Sequence, residues 1–154
     1  MIFVTIGTQI PFDRFIEIID DLAGTIDESF VVQALNGNYT PKNFKPVDFI
    51  TPDEFDKIIS EARLVVAHAG IGSILSAIDY EKPVIIFPRL ASLGEHRNDH
   101  QMATAKTIHE KGYAYVAYNK EQLTQLILTP DLQPLKKNIK QTSNNILSSI
   151  INKL

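Results

Sequence analysis

The chain has 154 residues, 44% hydrophobic and 21% charged, which suits one soluble globular domain with a sizeable core. A formal charge of −3 without long runs of either sign excludes the clustered Lys and Arg that non-specific nucleic-acid binding needs, and zero cysteines exclude disulfides, thiolate zinc sites and cysteine nucleophiles. Residues 1–15 lack the basic start and long apolar core of a signal peptide, and no apolar stretch approaches the roughly 20 residues of a membrane helix, so a cytoplasmic location is expected.

Short β-branched runs alternate with segments of helical period. Ile2-Phe3-Val4-Thr5-Ile6 reads as a buried strand ending at Gly7, and Phe12, Phe15, Ile16 and Ile19 fall on one face of the following helix. Ser29 to Leu35 reads as a second strand, followed by an irregular loop marked by Asn36-Gly37-Asn38, Pro41 and Pro46. A short third strand is expected over Val47 to Ile50. Thr51-Pro52-Asp53-Glu54 opens a helix with a capping residue, Pro in the first turn and acids at the positive end of its dipole. Leu64-Val65-Val66-Ala67 is apolar on both faces, as strands of a helix-covered parallel sheet are. After the turn His68-Ala69-Gly70-Ile71-Gly72-Ser73, a helix carries Ile71, Ile74, Leu75 and Ile78 inward; Pro83 to Phe87 is the next strand. His100 to Lys111, Tyr113 to Ala117 and Glu121 to Leu128 complete a helix, strand, helix series. A last amphipathic helix, about 134–152, is expected to pack on the chain's own sheet, with docking on a partner or membrane surface as the alternative. This alternation specifies a Rossmann-like, doubly wound parallel α/β sheet, one domain over 1–154.

Ligands of such sheets sit beyond the carboxyl ends of the strands, where the glycine turn after Ala67 lies. Gly70 and Gly72 let the backbone approach a ligand, and the free N–H groups and dipole of a helix start attract an anion such as a diphosphate. His68 and Ser73 can add donors. The alternative is a tight turn whose glycines serve packing alone. The turn is neither a dinucleotide fingerprint, because Leu75 replaces the third glycine, nor a P-loop, because no Gly-Lys-Ser/Thr follows.

A second polar cluster, Glu95-His96-Arg97-Asn98-Asp99-His100-Gln101, follows the next strand at the same end of the sheet. Such side chains recognise sugar hydroxyls. Taken alone, the cluster better suits a solvated loop with Asn98 or Asp99 capping a helix, and His96 with His100 at i, i+4 spacing is the weakest option, a metal pair across a loop boundary.

Four motifs in this order and spacing resemble the glycosyltransferase family 28 C-terminal domain. They are Ile2–Thr8 with Pro11–Arg14, the His68–Ser73 turn, Lys82-Pro83 with Pro88-Arg89, and Glu95–Gln101, together spanning about the first two-thirds of the chain. The nearest type is the free-standing form, as in the catalytic subunit of the dolichol-linked N-acetylglucosaminyltransferase and in bacterial two-component exopolysaccharide or capsule glycosyltransferases. The resemblance implies a metal-independent, inverting GT-B enzyme of which this chain is the C-terminal-type half. UDP-sugar is then its donor substrate, with no cofactor. A membrane-associated acceptor-binding subunit supplies the other half and a lipid-linked saccharide is the acceptor, which allows peripheral attachment at the inner face of the membrane through that partner.

Carried onto this sequence, the resemblance gives Gly70, Ile71, Gly72 and Ser73 to the diphosphate with His68 beside them, and Phe49 and Ile50 to the uracil. It gives His100 and Gln101 to the donor sugar with Glu95 and Asn98 in support, and it turns Thr8 toward the cleft. Ser76 stands where many relatives carry a ribose-binding Glu. The general base is expected from the partner; Glu95, His96 and Asp13 are the candidates within this chain, although Asp13 and Arg14 read by default as an ion pair. A non-catalytic nucleotide-sugar-binding subunit and a nucleotide-sugar epimerase relative are the alternatives, and the epimerase is disfavoured because those enzymes hold both halves in one chain.

Overall fold

The computed structural model describes residues 1–135. Strands β1 (Ile2–Thr5), β2 (Phe30–Gln33), β3 (Leu64–Ala67), β4 (Val84–Ile86) and β5 (Tyr115–Val116) pair in parallel in the order β2-β1-β3-β4-β5. They are joined by helices α1 (Asp13–Ala23), α2 (Pro52–Glu61), α3 (Ile71–Asp79), α4 (His100–Lys111) and α5 (Lys120–Leu128).

The two-residue period of a strand explains why β1, β3 and β4 are buried at every position. Ile2, Val4, Leu64, Val66 and Ile85 face one layer, where Phe15, Ile16 and Ile19 of α1 meet Leu123 and Ile127 of α5. Phe3, Val65, Ala67, Val84 and Ile86 face the other, against Ile59 of α2, Ile74 and Ile78 of α3, and Ala105 and Ile108 of α4. The sheet is therefore covered on both faces, and its carboxyl-end loops are the surface left for ligands.

Local signals hold where they rest on short-range chemistry. Thr51 and Glu54 form a reciprocal capping box at the start of α2, with Pro52 in its first turn. The strand expected over Val47–Ile50 does not form. Val47 makes one bridge to Gln33 at the edge of the sheet, exchanging bonds with the backbone of Val32 and Ala34 at 2.9 Å. Phe49 beyond it is 69% exposed, because the chain leaves the sheet edge to reach the Thr51 cap. All but the first two residues of the helix expected over 134–152 lie beyond residue 135, outside the described residues.

The loop between β2 and α2 is held by a buried carboxylate on α1. Asp20 accepts from the backbone N–H groups of Lys42 and Asn43 and from the Tyr39 hydroxyl, all within 2.7–3.0 Å. Burial pushes its pKa up, but the bonds from Tyr39, Lys42 and Asn43 outweigh this and hold it below the ordinary 3.8. Asp20→Asn is expected to lower unfolding stability by roughly 2 kcal/mol at pH 7, measured by urea titration. A carboxylate with a lowered folded pKa contributes above its unfolded pKa and loses that contribution as pH falls toward the folded value. The gap between wild type and variant should accordingly narrow below about pH 4.

Candidate functional site

The order 2-1-3-4-5 reverses between β1 and β3, and the loops leaving these strands diverge there to open a crevice. A cavity of about 440 Å³ occupies it. One wall is the loop after β1, from Ile6 to Ile10; the other is His68, Gly70, Gly72 and Ser73 after β3, and Arg89, His96 and Gln101 close it from the β4 side.

Arg89 is the structural centre of the site and is 2% exposed. Its guanidinium donates to the carbonyls of Ile6 (3.0 Å), Ile10 (2.7 Å), Pro11 (2.7 Å) and Glu95 (3.4 Å) and lies 4.5 Å from the Phe12 ring centroid. Burial lowers its pKa to about 10, against a raising influence from Glu95, so it is charged at neutral pH. Glu95, 10% exposed at its side chain, forms a two-point pair with Arg14 at 2.8 Å and also accepts from the Leu90 N–H. The carboxylate nearest Arg89 is thus bound to a second guanidinium, which itself stacks 4.5 Å from the Phe87 ring centroid.

The Arg89 backbone N–H donates to Gln101 Oε1 (3.0 Å), and Gln101 Nε2 lies 3.0 Å from His68 Nδ1. Burial lowers the His68 pKa to about 4, with further lowering by Arg89 and His96, so the imidazole is neutral at pH 7. Its ring fits between two glycines. A Cβ on Gly70 would meet His68 Cε1 and Nε2 at 2.4 Å, and Gly7, at φ +78°, approaches the same ring.

Helix α3 starts at this cavity without a capping side chain, its N-cap being Gly70. The first bond back into the helix is from Ile74 N–H to the Gly70 carbonyl, so the N–H groups of Ile71, Gly72 and Ser73 have no intrahelical acceptor. By contrast, α2 is capped by Thr51 and α5 by Asn119. A Cβ on Gly72 would meet nothing within 4 Å. The site thus combines a helix dipole, orphan N–H donors, a neutral histidine and a buried cation, which together suit an oxyanion ligand.

Of the residues singled out in the sequence, Thr8, His68, Gly70, Gly72, Ser73, His96 and Gln101 line the cavity. Ile71 is half-buried in the first turn of α3 and packs toward the core. Phe49 is exposed outside the cavity and Ile50 packs against the second core layer, while Ser76 lies a turn further along α3. His100 is exposed at the start of α4, and Asn98 Oδ1 accepts its N–H at 3.1 Å and lies 3.1 Å from His96 Nδ1. Asp13 and Arg14 do not pair with each other: Asp13 accepts from the Asn38 and Tyr39 N–H groups, and Arg14 turns to Glu95. Among the described residues no Asp or Glu lines the cavity, and no three His, Asp or Glu side chains are grouped to hold a metal ion. Sequence reasoning missed the role of Arg89. The available signal was one arginine directly after a buried strand, in Phe87-Pro88-Arg89-Leu90.

The glycosyltransferase family 28 C-terminal domain matches residues 1–154. The chain belongs to this family. This family 28 domain is 27% identical over 124 residues to a mouse protein named UDP-N-acetylglucosamine transferase subunit ALG13, covering 73% of this chain and 10% of that protein. The human protein of the same name is 28% identical over 125 residues, covering 74% and 11%. The domain therefore spans about a tenth of the length of these relatives. Among solved structures, an NMR structure of ALG13 superposes with a TM-score of 0.64 at 19% identity, covering 97% of this chain and 96% of that one. A glycotransferase of kitacinnamycin superposes at 0.56 and 16% identity over 98% of this chain and 39% of that one. Both share the fold of this family 28 domain.

Arg89→Lys tests what holds the cavity. A lysine ammonium keeps the charge but cannot reach carbonyls spread over a planar fork. The expected loss is roughly 2–4 kcal/mol of stability by urea titration, together with increased amide exchange in residues 6–11.

Proposed function

We propose that this family 28 domain is the catalytic, UDP-sugar-binding subunit of a two-component inverting glycosyltransferase, transferring a hexose or N-acetylhexosamine to a lipid-linked saccharide. The observation that carries the reading is the uncapped start of α3, where Gly70, Gly72 and Ser73 line a cavity at the switch point of the sheet. A diphosphate fits there because it accepts several hydrogen bonds at once and its charge suits the helix dipole. The name borne by the mouse and human relatives, a UDP-N-acetylglucosamine transferase subunit, supports UDP-N-acetylglucosamine as the first donor to test and a second subunit as the rest of the enzyme.

During transfer, negative charge grows on the departing UDP. Donors already oriented toward it stabilise that charge without reorganisation, so a resident cation is not required by this scheme. The acceptor hydroxyl needs a base within hydrogen-bond reach. Glu95 is engaged by Arg14 and Leu90, and Asp13 by the loop at 38–39, which favours a base on the membrane-associated acceptor-binding subunit. Of the base candidates read from the sequence, His96 is the one that lines the cavity. That no Asp or Glu among the described residues lines the cavity also favours a second reading, a non-catalytic nucleotide-sugar-binding subunit.

Thermal unfolding with UDP and UDP-sugars, with NAD and ADP-glucose as controls and EDTA throughout, tests the reading. Ligand at about 100 times its dissociation constant should add roughly 2.7 kcal/mol. Gly72→Ala should raise the stability of the free protein by about 0.5–1 kcal/mol, since the Cβ meets open space within a helix, and should weaken UDP binding. Gly72→Asp should abolish binding. Stabilisation by NAD rather than by uridine compounds would overturn the assignment. Unchanged transfer by the two-subunit enzyme carrying Gly72→Asp would identify the non-catalytic alternative.

A further inference from the structure

We propose that Gln101 is a positioning residue that locks His68 as a neutral imidazole protonated on Nε2, so that His68 meets the nucleoside diphosphate as an uncharged hydrogen-bond donor. The inference rests on the donor-site reading above and departs from the expectation that Gln101 touches the sugar.

The argument starts from a group with no choice. The backbone N–H of Arg89 can only donate, and it points at Gln101 Oε1 from 3.0 Å. That fixes which end of the amide is the oxygen, so the end 3.0 Å from His68 Nδ1 is the NH₂ group, which can only donate. Nδ1 must then accept, and the ring proton resides on Nε2. Flipping the amide would set NH₂ against the Arg89 N–H, two donors facing each other at a residue only 8% exposed. Nor can Arg89 move to relieve them, because its guanidinium is bound to four carbonyls.

The other edge of the ring is turned toward the cavity wall. Nε2 and Cε1 lie against Gly70 and Gly7, which line the cavity, and among the described residues no group is hydrogen-bonded to Nε2. The charged and titratable groups facing His68 are the Arg89 guanidinium from the β4 loop and the His96 imidazole from the loop before α4; both oppose its protonation, as burial does. Its neighbours from the β1 loop and the start of α3, Gly7, Gly70 and Ser73, carry no charge. The donor therefore stays in place across the neutral pH range and adds no full charge to the site.

Two-bond ¹H–¹⁵N spectra of the full chain without ligand read the tautomer directly, with His68 assigned by its loss in His68→Asn. Expected are an unprotonated Nδ1 and a protonated Nε2, constant from pH 6 to 8. A protonated Nδ1, or shifts averaged between tautomers, would overturn the lock, and this measurement needs no Gln101 variant. Gln101→Glu replaces the donor with an acceptor, so His68 should move to the imidazolium or Nδ1–H form. As pH rises and that imidazolium loses its proton, Nε2 stops donating. UDP affinity relative to wild type should then fall about tenfold or more between pH 6 and 8.5, the scale of a lost hydrogen bond to a charged group. Unchanged His68 signals in a folded Gln101→Glu protein would sink the proposal. Should wild type show the expected tautomer but bind no UDP, the donor-site reading and the role given to His68 fail while the lock stands.

Discussion

One buried guanidinium holds the site together. Arg89 bonds the carbonyls of Ile6, Ile10 and Pro11 on one side of the crevice and that of Glu95 on the other. Removing such an ion from water costs several kcal/mol even after relaxation. Four hydrogen bonds from a charged donor, at about 1.5–3 kcal/mol each, and a ring face worth about 1 kcal/mol offset a cost of that size. Whatever the net worth of the buried ion, breaking this arrangement costs stability because it leaves inward carbonyls and a buried charge without partners. Without it, the loop after β1 would carry carbonyls turned inward with no donor, and the cavity would lose a wall.

The remainder of the site follows from what Arg89 fixes and from what the sheet leaves open. Its N–H orients Gln101, and Gln101 orients His68. Glu95 is kept from pairing with Arg89 by the two-point grip of Arg14, itself seated on the Phe87 ring. Thr5 and Gln33 meet at 2.8 Å across β1 and β2, and the Thr5 hydroxyl accepts from the Gly7 N–H at the first bend of the same loop. The polar groups are thus joined to each other and to the ends of β1, β2 and β4. A ligand meeting Gly70, Gly72 and His68 meets groups that are already placed, and preorganisation of this kind separates an electrostatic site from a merely polar surface.

Much of this was legible in the sequence, and the pattern of success is physical. Strands and helices are read from periodicity, because burial on both faces of the sheet forces Ile2–Val4 and Leu64–Ala67 to be apolar throughout. The glycine turn and the Thr51 capping box were read because their chemistry is complete within a few residues. What escaped depends on partners far apart in the chain. Arg14 adjoins Asp13 in sequence, yet it pairs across 81 residues with Glu95 because Phe12 and Phe87 bring α1 beside the β4 loop. Arg89 stands in the sequence only as part of the Pro88-Arg89 motif, and its role appears once the carbonyls of Ile6, Ile10 and Pro11 are seen to converge on it. Val47–Ile50 has strand-like composition, but an edge bridge to Gln33 is all that the turn toward Thr51 permits.

The distribution of charge bears on turnover under the proposed function. The Arg89 guanidinium is committed to backbone carbonyls, and beside it in the cavity lining stand Gly72, Ser73 and a neutral His68 imidazole. A desolvated cation in contact with the diphosphate would hold substrate, transition state and product alike, and uniform binding of that kind does not accelerate the chemical step. Oriented dipoles gain most where charge is still increasing, on the leaving oxygen, and hold the finished product less firmly than an ion pair would. Arg89 lines the cavity, so the site stays attractive to an anion. Under the proposed function, tying the guanidinium to backbone carbonyls, with dipoles and a neutral imidazole beside it in the cavity lining, would reconcile diphosphate recognition with release of UDP after each transfer.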